Sequence, residues 1–187
     1  MTVHPSILRF LCLGGVAMML AVVPAASAAP AAPSSPSPAS GASAKAVKAS
    51  ASDVKAATGV ITELYNAYVS RDLDRIMALE RESIEASARA YESKGKGKAE
   101  DVRDALRGVT EEVIKHKDFK MKPLNLTDAE FERVGDAVVV SSVIPIIASE
   151  LVEVGEPGAG KKARLRIGKF VFRQMDTHWT IVRMDLF

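Results

Sequence analysis

The sequence predicts an α+β domain in which three helices precede an antiparallel sheet. Two observations predict it. From Val54 to Val113 the apolar residues recur at helical spacing, whereas after Asp118 they alternate or run together in Val- and Ile-rich stretches punctuated by glycine turns. Helices grouped before a meander of strands give helices segregated onto one side of an antiparallel sheet.

The first helix starts at Asp53, an N-cap type of residue, and presents Val54, Ala57, Ile61, Leu64, Tyr65 and Tyr68 as one apolar face before ending near Ser70. Asp72 then caps a second helix carrying Leu73, Ile76 and Met77; Asp74, two positions on, points away from it. Ile84, Ala88 and Tyr91 continue the helical spacing toward a loop at Ser93 to Lys98 that contains Gly95 and Gly97. The third helix runs from about Ala99 to His116 with Val102, Leu106, Val109 and Val113 inward. Lys115 to Lys117 complement its C-terminal dipole.

Phe119, Met121, Leu124 and Leu126 predict a strand, with Pro123 marking an edge or bulge. Ala129 to Val134 is a second strand, Gly135-Asp136 a turn, and Ala137 to Ala148 a central strand covered on both faces. A turn at Gly155 to Gly160 leads to a long strand from Lys161 to Met175. Asp176-Thr177 turns the chain into a last strand from His178 to Phe187.

The N-terminal part is built differently. Met1 to Arg9 is short and polar, Phe10 to Val23 is uncharged and apolar, and Ala26-Ser27-Ala28 places small residues where a signal peptidase reads them. The apolar run is shorter than the ~20 residues a membrane-spanning helix needs. Residues 1–28 therefore read as a secretory signal, and the product as periplasmic or secreted, with no stable membrane span after processing. Residues 29–52 are rich in Ala, Pro and Ser and read as a flexible linker. The folded domain is then 53–187.

Three stretches resemble the NTF2-like superfamily, also called SnoaL-like or cystatin-like. They are ITELYNAYVSRDLDRIMAL (Ile61 to Leu79), FERVGDAVVVSS (Phe131 to Ser142) and GKFVFRQMDTHWTIVRMDLF (Gly168 to Phe187). The resemblance implies a cone in which the helices close over a curved sheet, with a ligand pocket between them. It does not fix an activity, because folds of this kind host many chemistries. Glu80 to Lys98 departs from the pattern: it is helical and charged where a short loop is expected.

Strand alternation nominates the lining of such a pocket. Trp179, Ile181, Arg183, Asp185 and Phe187 share one face of the last strand, and Tyr65 and Tyr68 lie on the inner face of the first helix. The pocket expected from these positions is Tyr65, Tyr68, Trp179, Ile181, Arg183 and Asp185. It suits a small apolar or amphipathic ligand, or the domain serves as an interaction module. The alternative is a ketosteroid-isomerase-like isomerase or a hydrolase, with Tyr65 as hydrogen-bond donor and Asp185 as base. Val182, Met184 and Leu186 fall on the opposite face with part of the Ala137 to Ala148 strand. That exposed apolar patch predicts a homodimer through the convex side of the sheet.

Several functions are disfavoured. Processing removes Cys12, the single cysteine, and of the three histidines it leaves His116 and His178, so neither a thiolate nor a multi-histidine metal site is expected. No cofactor is implied. A formal net charge of +2 gives no basic field for nucleic acid. The basic run Lys161, Lys162, Arg164, Arg166, Lys169 and Arg173 is answered by Glu150, Glu153 and Glu156 across a hairpin, with Glu153 opposite Lys162 or nearby. GEPGAGKK lacks the spacing and the following helix of a phosphate-binding loop. Mass spectrometry of the exported protein should find its N-terminus at Ala29; a mature chain retaining Arg9 would refute the signal reading.

Overall fold

The computed structural model describes residues 45–153 and 162–186. The expected export signal, the linker up to residue 44, the turn at Gly155 to Gly160, Lys161, Glu156 and Phe187 lie outside the described residues. Four helices pack on an antiparallel sheet, which is the expected α+β class with one helix more than expected.

Helix α1 (Ala51–Ser70) starts before Asp53. Ser50 is the N-cap: its hydroxyl accepts from the Asp53 amide at 3.1 Å, and the Asp53 carboxylate accepts from the Ser50 amide at 3.3 Å. Asp53 is thus the third residue of a reciprocal capping box. Its carboxylate also accepts from Arg133 with both oxygens at 2.9 Å. The helix ends on Arg71 in the left-handed region at φ 58°. Glycine is usual there, but Arg71 is held by its guanidinium, which donates to the Phe119 carbonyl at 2.9 Å and lies over the Phe119 ring.

Asp72 caps α2 (Leu73–Leu79) as expected, accepting from the Arg75 amide at 3.0 Å. The helical spacing beyond Glu80 forms a separate helix, α3 (Arg81–Ser93). Gly97, at φ 153° with Tyr91 close against it, turns the chain into α4 (Ala99–Lys115). In α4 the expected inward residues are half-buried, and Ile114 is the one fully enclosed. No helix among the described residues is long and apolar enough to cross a membrane.

The chain enters the sheet earlier than composition implies. β1 (Val47–Lys48) pairs with β2 (Glu130–Val134), the Ala49 amide donates to the Phe131 carbonyl at 3.1 Å, and Ala49 is buried. The domain therefore begins near Ala46, and the end of the expected linker is part of it. β2 leads through a turn at Gly135 (φ 62°) to β3 (Ala137–Ser141).

The single strand expected over Ala137 to Ala148 is divided. β3 pairs with β7 (Arg166–Met175) up to Ser141 opposite Lys169; β4 (Ile147–Ala148) resumes at Ile147 opposite Ile167. Residues 142–146 make an excursion opposite Gly168, anchored by Ser142 N to Gly168 O at 2.9 Å and Ile146 N to Ile167 O at 2.8 Å. Pro145, which has no amide to give the ladder, lies inside it, and Val143 is 87% exposed. Phe119 to Leu126 is not a strand: it crosses beside β4 with one bridge, Met121 to Ser149. β5 (Val152–Glu153) pairs with β6 (Lys162–Ala163) with Glu153 opposite Lys162, as the charge pattern predicts. The long strand expected from Lys161 is interrupted at Arg164-Leu165 before β7.

β7 turns at Asp176-Thr177 into β8 (His178–Leu186). Two cross-sheet rows face the helices. One is Phe131, Val140, Phe170 and Met184; the other is Arg133, Val138, Phe172 and Ile181. With Ile61, Leu64, Tyr68, Ile76 and Ile114 they make the core. The outer rows are Glu132, Val139, Val171, Arg183 and Glu130, Ser141, Lys169, Asp185.

β8 does not alternate throughout. Phe172 pairs with Ile181 and Val171 with Arg183, so Val182 is an extra residue without a partner on β7. This bulge reverses the facing after Ile181: Met184 packs against the core, while Arg183 and Asp185 turn outward. The outer face is consequently a mixture of charges and valines. The apolar patch expected from Met184 and Leu186 does not form there, because Met184 belongs to the inner row.

Truncation distinguishes the two parts of the expected linker. Starting the chain at Lys45 should leave its stability unchanged, whereas starting it at Asp53 should cost about 2–3 kcal/mol, from one cap and the buried β1 contacts. Chemical denaturation of the two truncated chains measures the difference, and equal midpoints would refute the role of β1.

Candidate functional site

Ile76, Glu80, Ile84 and Ala88 are spaced four apart, so Glu80 sits on the stripe that α2 and α3 turn inward. Its backbone carries the joint between these helices: Glu80 N donates to Ile76 O at 3.0 Å, and Glu80 O accepts from Ile84 N at 2.9 Å. Tyr68, in the last turn of α1, donates its hydroxyl to Glu80 Oε1 at 2.8 Å, and both side chains are buried.

The described residues include three buried polar or charged side chains: Asp53, Glu80 and Ser149. Ser149 fastens the sheet, accepting from Leu165 N and donating to Glu150 O. Asp53 faces a guanidinium, whose hydrogen bonds hold its carboxyl below the ordinary range against the opposing effect of burial. Glu80 has a hydroxyl instead of a cation. Burial pushes its carboxyl from the ordinary 4.5 to about 7, with the Tyr68 hydroxyl offsetting part of the rise. Burial, and then the facing carboxylate, raise the Tyr68 phenol well above its usual value.

Among the described residues, apolar side chains occupy the space between helices and sheet. Phe170 and Phe172, stacked at 5.8 Å, are fully buried with Ile61, Leu64 and Ile181. Concavities occur at the rim. One open groove of about 410 Å³ lies between Val60 of α1, Ala78 and Leu79 of α2, Arg81 and Glu82 of α3, and the β7–β8 turn, where Met175, Asp176 and His178 to Ile181 line it. Another, of about 360 Å³, is lined by Tyr65, Tyr68, Val69, Arg71 and Phe119 to Met121.

The residues nominated from sequence are thus divided among three places. Tyr65 and Tyr68 border the smaller groove, and Trp179 and Ile181 the larger. Arg183 and Asp185 pair with each other at 2.8 Å on the outer face, where Lys169 also approaches Asp185 at 4.0 Å. The Val182 bulge is what separates them, so Tyr65 and Asp185 do not share a site. Glu80, the buried partner of Tyr68, was not among the nominees. Its signal in the sequence is a carboxylate on the apolar stripe of a helical run. Among the described residues no group of three or more His, Cys, Asp or Glu side chains is arranged to hold a metal ion.

No protein-family model, curated protein or solved structure matches the chain, and the site rests on its own geometry.

Glu80 gives stability a definite pH dependence. Its folded value lies above the unfolded one, so its full contribution is present below about pH 4.5 and is lost as pH rises through about 7. Unfolding free energy should fall by on the order of 3 kcal/mol between pH 5 and pH 8. Glu80→Gln should be flat relative to the parent over that interval. Denaturant titrations of both proteins at the two pH values check this, and parallel profiles would refute it.

Proposed function

We propose that the chain is an exported NTF2-like domain that works by binding, and that it takes a small amphipathic ligand in the groove beside Trp179. The observation that carries this reading is the composition of that groove. Its floor is apolar, from Val60, Leu79, Trp179 and Ile181, and its rim carries charges of both signs, from Arg81, Glu82 and Asp176. An apolar body with a polar or zwitterionic end matches such a surface. The packed interior favours a ligand held at this rim over one enclosed in the cone. The isomerase reading loses its support with the separation of Tyr65 from Asp185 by the sheet.

Trp179 is the single tryptophan of the chain and reports directly on this groove. A zwitterionic single-chain amphiphile, added below its micelle concentration, should change Trp179 emission saturably at micromolar levels. Met175→Glu, which places a charge at the half-exposed end of the groove, should weaken that binding about tenfold or more. A linear, unsaturable change, or identical curves for the two proteins, would overturn the reading.

A further inference from the structure

Glu80 occupies a joint. Its chain neighbours Leu79 and Arg81 both line the groove beside Trp179, while its hydrogen-bond partner Tyr68 borders the smaller groove. The carboxyl thus lies behind the wall of one groove and is tied to the wall of the other. We propose that the Glu80 carboxyl, buried against Tyr68, is a proton-operated latch on the groove beside Trp179: while protonated it stays packed and holds Leu79 and Arg81 in the wall, and when ionised it draws water to the joint and releases them. This regulation rests on that groove being the binding site.

Among the described residues, no cation is placed against Glu80 to compensate an ionised carboxylate. On α4, Arg103 is spent on Glu85 of α3, with bonds of 2.6 and 2.8 Å, and Arg107 on Asp74 of α2 at 2.8 Å. On α1, Glu63 pairs with Arg75 of α2. Of α3's own first turn, Arg81 and Glu82 open onto the groove, and β8 contributes His178 at the same rim. The Tyr68 hydroxyl is the side-chain group that acts on the carboxyl.

A carboxylate held dry by a hydroxyl alone is unfavourable, because burial strips its hydration without supplying an opposite charge. Admitting water at the joint between two short helices disturbs less packing than unfolding the core, so relief is local. Burial places the proton change near pH 7, so the latch works around neutrality. As the wall withdraws the ligand loses apolar contact, and affinity falls as pH rises.

The test uses Trp179 emission of the unliganded full chain from pH 5 to 9, in a His178→Gln background that removes the adjacent imidazole. A sigmoidal change centred near pH 7 is expected, and it is absent when Glu80→Gln is added. Tyr68→Phe should move the midpoint upward, because the hydroxyl favours the ionised carboxylate. Hydrogen exchange of the Leu79 to Arg81 amides at pH 8.5 should be about tenfold faster in the parent than in Glu80→Gln. Amphiphile affinity should be about tenfold weaker at pH 8.5 than at pH 5.5 in the parent and constant in the variant. Emission and exchange that do not distinguish parent from Glu80→Gln overturn the latch. So does amphiphile binding that ignores pH while the emission titrates. If no amphiphile binds at any pH, the binding reading fails, and the emission and exchange transitions still support the latch as a movement of the groove wall.

Discussion

The interior of this domain is governed by how completely Phe170 and Phe172 occupy it. Both rings project from β7, which holds β3 and β4 on one side and β8 on the other, and the apolar side chains of α1 close directly over them. Dense aromatic packing occupies the centre of the sheet, and among the described residues two grooves lie where the helices run out, at the ends of α1 and α2 and at the β7–β8 turn. Chemistry at the rim, rather than within the layer, follows from that crowding.

Two buried carboxyls show how differently one core treats the same group. Asp53 is given a guanidinium and two backbone-linked caps, so its charge is retained and fastens the start of α1 to β2. Glu80 is given a phenol and no cation, and for it the neutral form is the comfortable one. The first arrangement suits a structural fastening. The second makes a joint whose state depends on its proton, beside the groove that Leu79 and Arg81 help to form.

Periodicity made the class, the helix starts at Asp72 and Ala99, the Gly135 turn and the β7–β8 hairpin legible in the sequence, because each depends on local spacing or on turn chemistry. The misreadings lie where a distant partner decides. Val47 and Lys48 look like linker by composition and become strand only because β2 offers an edge. Ala137 to Ala148 reads as one strand because it is almost wholly apolar and rich in Val and Ile, but Pro145 has no amide for the ladder and β7 leaves a single residue, Gly168, to face the excursion. Strict alternation assigns Arg183 and Asp185 to the face of Trp179 and Ile181, which one unpaired valine on β8 defeats. Glu80 is an anomaly on an apolar stripe, but its environment is set by burial and by Tyr68, twelve residues away on another helix.

The extra residue at Val182 acts as a reading-frame marker for the end of the chain. Its side chain is half-buried and its position unpaired, so many substitutions there would disturb little. Its deletion would be absorbed as well: without Val182, Ile181 stays opposite Phe172, Arg183 opposite Val171 and Met184 opposite Phe170, so the ladder closes and strict alternation returns with Met184 inward and Arg183 and Asp185 outward. The bulge is slack in the ladder, and the loss of one residue between Ile181 and Met184 takes it up. Among diverged copies of such a domain, β8 can therefore shorten by one residue there without moving Met184 out of the core.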